Sequence, residues 1–178
     1  MAARANAGAA VRRKARIIEL AVFDVDGVMT DGRLYVGPGG QELKAVHIHD
    51  GHGLKLLQRA GISVAVISGR RSEAMEWRLG DLGVQQVFMG VADKLAIFLA
   101  LLKESSLDAR QAAYMGDDEP DLESMRLAGL ALTVPDAMPA VKRVADWTSR
   151  RPAGAGAVRE ACELLLSARA PARAGVYR

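Results

Sequence analysis

The chain has 178 residues and a net charge of +3, and is half apolar but only 4% aromatic, which bounds it to one domain with an aliphatic core. The positive charge gathers at the ends, in Arg4, Arg12, Arg13, Lys14 and Arg16 and in Arg169, Arg173 and Arg178, so the body is close to neutral and no nucleic-acid partner is expected. Residues 1–16 and 169–178 read as disordered basic tails around a domain at 17–168. No apolar run is long enough to span a bilayer and the first residues lack the apolar core of a signal peptide, so no membrane partner is expected. The single Cys162 excludes an internal disulfide and suits a cytoplasmic location.

Taken in chain order, the apolar run Ile17 to Phe23 reads as a buried strand. Two extended runs follow, Arg33 to Val36 and Leu43 to His49, joined by the Gly/Pro turn GPGGQE, which is the pattern of a hairpin. From there strands and helices alternate. The strands are Ile62 to Ile67, Gln85 to Phe88, Ala112 to Met115, Leu130 to Val134 and a short one at Asp146 to Thr148. The helices are Gly53 to Ala60, Ser72 to Leu82, Ala92 to Lys103, Asp121 to Ala128, Ala137 to Val144 and Ala157 to Ala168. This alternation predicts an α/β, Rossmann-like three-layer fold with a parallel sheet. The hairpin stands where the first crossover helix is normally found and should project from the carboxyl edge of the sheet. No insertion is long enough to form a cap domain.

Ligands of open α/β sheets bind at the carboxyl ends of the strands, and polar residues recur there. FDVDGVMTDG places Asp24 and Asp26 after the first strand, VISGR places Ser68, Gly69 and Arg70 after the second, Lys94 opens a helix, and YMGDDEPDL places Asp117 and Asp118 after the fourth. Crowded carboxylates repel unless a hard cation bridges them, and an all-oxygen set suits Mg²⁺. A carboxylate can attack phosphorus and split hydrolysis into two steps, while Lys94, Ser68 and backbone N–H groups are suited to phosphoryl oxygens. Asp26, two residues on, shares a side with Asp24 and can move protons. His47 and His49 would share a face of an extended strand, but nothing else nearby supports a zinc site, and these residues with His52 read as exposed hairpin positions.

The four motifs resemble those of the haloacid dehalogenase superfamily of aspartyl phosphotransferases. DVDGVMTDG, the hairpin, DGHGLKLL, SGR, GDDEPDL and GAGAVRE are similar to a capless branch, the 3-deoxy-D-manno-octulosonate 8-phosphate phosphatases, over about Leu20 to Leu166. The resemblance implies Asp24 as nucleophile and Asp26 as general acid/base. It implies Mg²⁺ held by Asp24, the Asp26 carbonyl and Asp117 with Asp118 in support, and a phosphoryl site at Ser68, Gly69 and Lys94. It implies a phosphorylated sugar acid as substrate, with Thr30, Asp31, His49 and Arg70 as candidate contacts; Asp31 either meets substrate or shapes the turn with Gly32. It also implies a homotetramer in which hairpins cover neighbouring sites. Two positions depart from the branch, His49 where Arg is usual and Gly154-Ala155-Gly156 where a cation usually stands between the glycines.

Two other classes compete. A phospho-receiver domain also gathers acids, a hydroxyl and a Lys, but carries its acceptor Asp after a middle strand, whereas here it follows the first. A non-catalytic relative would not need every catalytic position filled, and here all are.

Overall fold

The computed structural model describes residues 2–169, with side chains from residue 8. A helix, α1 (Ala2–Ala15), leads into β1 (Leu20–Phe23), whose LAVF sequence is buried throughout. The hairpin strands are β2 (Tyr35–Val36) and β3 (Glu42–Leu43), joined through a 3-10 turn at Pro38–Gly40. Then come α2 (Ile48–Arg59), β4 (Ser63–Ser68), α3 (Glu73–Asp81), β5 (Gln86–Met89), α4 (Lys94–Glu104), β6 (Ala112–Met115), α5 (Leu122–Leu127), β7 (Leu130–Thr133), α6 (Pro139–Val144), β8 (Trp147–Thr148) and α7 (Ala157–Arg169). The six longer-range strands form one parallel sheet in the order β5-β4-β1-β6-β7-β8. Helices α1, α2 and α7 pack together on the sheet, and α4, α5 and α6 form a second helical group. The expected three-layer α/β fold with a hairpin is therefore present.

The register decides where the chemistry sits. Phe23 pairs with Val66 of β4 and Met115 of β6, so Asp24, Ser68 and Gly116 all emerge within two residues of one level at the carboxyl edge. Strands buried on both faces need near-continuous apolar sequence, and polarity begins where that burial ends.

Two expectations are corrected. The N-terminal segment is helical from Ala2 to Ala15, not a disordered tail, and Val11 and Ala15 belong to the core. Likewise Arg169 closes α7, donating to the carbonyls of Ala60 and Ile18 and pairing with Glu19; residues 170–178 of the expected C-terminal tail lie outside the described residues. Second, the run expected to be extended through His49 ends earlier. His47 is the N-cap of α2, its Nδ1 accepting from the His49 N–H at 3.2 Å, and His49 lies in the first helical turn.

The buried α1 carries an expected result. Val11→Asp should lower stability by about 2–4 kcal/mol, because it forces a carboxylate against apolar neighbours. Thermal unfolding checks this, and an unchanged midpoint would mean that α1 does not belong to the core.

Candidate active site

Asp24 follows β1 directly, with its N–H bonded to the Met115 carbonyl at 2.9 Å, and is only 5% exposed. Lys94, equally buried, opens α4 behind the Asp93 cap. Its Nζ stands 2.9 Å from Asp24 Oδ1 and donates to Asp121 Oδ1 at 2.8 Å. Asp117 comes from the loop after β6. Carboxylate oxygens of Asp24, Asp117 and Asp121 lie within 4.8 Å of one another, so three acids face one ammonium.

Asp121, absent from the sequence expectations, organises this cluster. Its Oδ1 accepts from Lys94 and from the buried Tyr114 hydroxyl at 3.0 Å, and its Oδ2 accepts from the N–H groups of Asp117 and Asp118 at 3.2 and 3.4 Å. One carboxylate thus anchors both the lysine and the loop that carries Asp117, and its lone pairs are taken. Asp24 and Asp117 are less completely paired: Asp24 Oδ1 meets the Lys94 ammonium that Asp121 shares, and the buried Asp117 Oδ1 has no hydrogen-bond partner. Orphaned anionic oxygens are expensive. Burial, reinforced by the Asp121 charge and opposed by Lys94, pushes the Asp24 carboxyl up to about 7. Burial, followed by the charges of Asp24 and Asp121, pushes Asp117 up to about 8. Desolvation pulls Lys94 down, but Asp24 and Asp121 outweigh it and its affinity for the proton is raised. A hard divalent cation fits this arrangement, since it would satisfy Asp117 Oδ1 and balance the charge of three carboxylates that share one ammonium.

Gly27 makes the close approach possible. It adopts φ +84°, and a Cβ there would fall 2.0 Å from Asp117 Oδ2. A side chain at this position is excluded both by conformation and by space.

The remaining expected residues separate into those at the site and those elsewhere. Ser68 is buried at the end of β4, its Oγ accepting from the Arg70 N–H at 3.3 Å, so its own proton is available to an incoming group. Gly69 is exposed beside it. Asp26 is half-buried, and Lys44 from the hairpin reaches it. The expectation that Asp118 supports the metal does not match its placement: it is exposed and caps a 3-10 turn, accepting from the Glu119 N–H at 2.8 Å. Nor is Thr30 turned toward a substrate. It is fully buried, and its hydroxyl accepts from the Gly32 N–H at 3.2 Å and from the Gly27 N–H at 3.4 Å, holding the loop together. Asp31 shapes the turn, accepting from the Arg33 N–H at 3.0 Å. His49 is exposed and lines a separate cavity of about 230 Å³ with Arg151, Gly156, Arg159, Glu160 and Glu163, none of which belongs to the carboxylate cluster.

Comparison with known proteins follows the same lines. A family model described as haloacid dehalogenase-like hydrolase matches residues 90–160. The 3-deoxy-D-manno-octulosonate 8-phosphate phosphatase of Escherichia coli strain K12 is 41% identical over 155 residues, covering 87% of this chain and 82% of that protein. The chain belongs to this phosphatase family, within the haloacid dehalogenase-like hydrolases. Its fold is also that of solved members. The phosphatase from Yersinia pestis superposes with a TM-score of 0.88 at 41% identity, covering 90% of this chain and 86% of the other. The enzyme from Moraxella catarrhalis, solved with magnesium, phosphate and KDO, gives 0.87 at 38% identity, with 89% and 91% covered.

Proposed function

We propose that the chain is a Mg²⁺-dependent phosphomonoesterase that hydrolyses 3-deoxy-D-manno-octulosonate 8-phosphate to the free sugar acid and phosphate, serving lipopolysaccharide synthesis in the cytoplasm. The observation that carries this reading is the convergence of Asp24, Ser68 and Asp117 at one edge of the sheet around Lys94, with three carboxylates sharing one ammonium and the buried Asp117 Oδ1 left without a hydrogen-bond partner. Family membership and the magnesium, phosphate and KDO bound by the Moraxella relative support it.

Asp24, Asp117 and the Asp26 carbonyl would hold Mg²⁺. Bound there, the ion neutralises charge on the phosphoryl oxygens. The Asp24 carboxylate attacks phosphorus as the bond to the sugar oxygen breaks, and Asp26 gives its proton to that oxygen. Water then attacks the phosphorus of the aspartyl-phosphate and passes a proton to Asp26, which releases phosphate and restores Asp24. Lys94 and the Ser68 hydroxyl hold the phosphoryl oxygens throughout.

The hairpin adds an assembly. Leu34, Tyr35, Val36 and Leu43 are large apolar residues between 44 and 69% exposed, and a patch of that kind suits a protein contact. We assign it to a homotetramer in which hairpin tips meet and help to enclose neighbouring sites.

The raised carboxyls give a pH signature. In the unfolded chain both acids titrate near the ordinary value of about 4, but folded they hold their protons to about 7 and 8. Between these limits the native state binds more protons than the unfolded one, so their contribution to metal-free stability is full at low pH and is lost as pH rises through 7 to 8. Mg²⁺ takes the deprotonated ligands. Thermal midpoints in EDTA should therefore fall between pH 5 and pH 8, with Mg²⁺ restoring much more at pH 8 than at pH 5. Equal Mg²⁺ stabilisation at both pH values would count against these ligands.

A panel of eight-carbon, nine-carbon and simple sugar phosphates tests the substrate. The expected result is preference for the octulosonate ester. A nine-carbon preference would favour a related sugar acid, a reading that gains weight from His49 and Ala155 standing where the branch usually carries cations. No phosphate release from any ester would overturn the phosphatase reading.

A further inference from the structure

The hairpin delivers to the site a group that none of the motifs contains. Lys44, one residue past β3, has a side chain only 1% exposed, and its Nζ lies 2.6 Å from both carboxylate oxygens of Asp26. The same nitrogen is 3.4 Å from Glu42 Oε1. Glu42 Oε2 in turn accepts from Arg70 Nη2 at 2.8 Å, and Arg70 Nε returns to 4.0 Å from Asp26 Oδ2. Acids and cations therefore alternate around a closed ring of four side chains. The base of the hairpin thus lies against the site of its own chain, leaving its exposed tip for a neighbouring copy.

Apart from this ring, the contact on the Asp26 carboxylate among the described residues is the longer one from the Thr30 hydroxyl, at 3.4 Å. A buried ammonium without a partner would be strongly destabilised, so Lys44 is held on Asp26 as firmly as it holds it. Proton transfer to a departing oxygen, and from an attacking water, requires a carboxylate in one orientation. Misplacement by about 1 Å can cost on the order of a hundredfold in rate. We propose that Lys44 is a positioning residue that fixes the Asp26 carboxylate for both proton transfers, with Glu42 holding the lysine from the other side. This rests on the phosphatase reading and the role given there to Asp26.

The test is a set of variants of the full chain assayed with Mg²⁺. Lys44→Met should lower kcat about thirtyfold, less than the roughly hundred- to ten-thousandfold of full acid–base assistance because Asp26 itself remains, while KM changes by less than about threefold. Lys44→Arg, which keeps the charge, should recover most of the loss. With p-nitrophenyl phosphate, whose good leaving group favours turnover without acid assistance, Lys44→Met placed on Asp26→Asn should cost less than about twofold more, since no carboxylate remains to be held. Glu42→Gln should give a milder fall of the same kind and stands as the second test if the Met variant folds poorly. The inference is overturned if Lys44→Met costs the same factor with and without Asp26, or if KM rises at constant kcat, which would make Lys44 a substrate contact. A wild-type chain that turns over no phosphate ester rejects the phosphatase reading instead, so the two failures are distinct.

Discussion

Asp24→Asn is expected to reduce phosphate release at least about ten-thousand-fold, roughly 5 kcal/mol of transition-state stabilisation. The amide has the shape of the carboxylate but cannot form the bond to phosphorus, and it cannot offer the same charge to Mg²⁺. Stability should not suffer with it. Burial and the Asp121 charge disfavour the charged form of Asp24, so a neutral side chain relieves repulsion with Asp117 and Asp121. Metal-free Asp24→Asn should therefore unfold at the wild-type temperature or above at pH 8. Steady-state assays with thermal scans on the same preparation check both statements, and turnover close to wild type would remove Asp24 from the role of nucleophile.

Lys94→Met separates the electrostatic role from the covalent one. Loss of the ammonium should lower kcat about a hundred- to a thousandfold, as expected for one preorganised cation on the phosphoryl oxygens. It also leaves Asp24 and Asp121 without their shared counter-charge. Breaking a buried pair by removing one partner typically costs about 3–5 kcal/mol, so the metal-free variant should be clearly less stable than wild type at pH 8. The deficit should shrink toward pH 6 as the remaining carboxyls take up protons. Chemical denaturation at the two pH values measures it; a deficit independent of pH would mean that lost packing, not uncompensated charge, is responsible.

The sheet was legible because each strand is a short apolar run ended by polar turn residues, and LAVF next to DVD is the plainest instance. The same junctions located Asp24, Ser68 and Asp117, since a parallel sheet delivers successive strand ends to one edge. Helix α1 was hidden by composition: its side chains are mostly Ala and Arg, and the burial of Val11 and Ala15 comes from tertiary packing. The first turn of α2 was hidden because the run to His49 read as extended and the expected helix began only at Gly53, past Gly51. Their small size answers to packing, because a Cβ on Gly53 would lie 3.0 Å from Cys162 Sγ and one on Gly51 the same distance from Leu82. Asp121 had a faint signal, a third aspartate four residues after Asp117 in GDDEPD. Lys44 had none, because its partner Asp26 is 18 residues away across a turn and nothing local marks a surface lysine as a buried one. Thr30 was misassigned for the opposite reason: a hydroxyl inside a catalytic motif suggests substrate, yet it bonds the loop itself.

The most direct measurement is to mix the protein with Mg²⁺ and octulosonate 8-phosphate, quench in acid during turnover, and map the phosphorylated peptide by mass spectrometry. The expected result is phosphate on Asp24, present during turnover and lost when substrate is exhausted. Turnover with phosphate on another residue, or with no phosphorylated protein at any time, would contradict catalysis through an Asp24 phosphoryl intermediate.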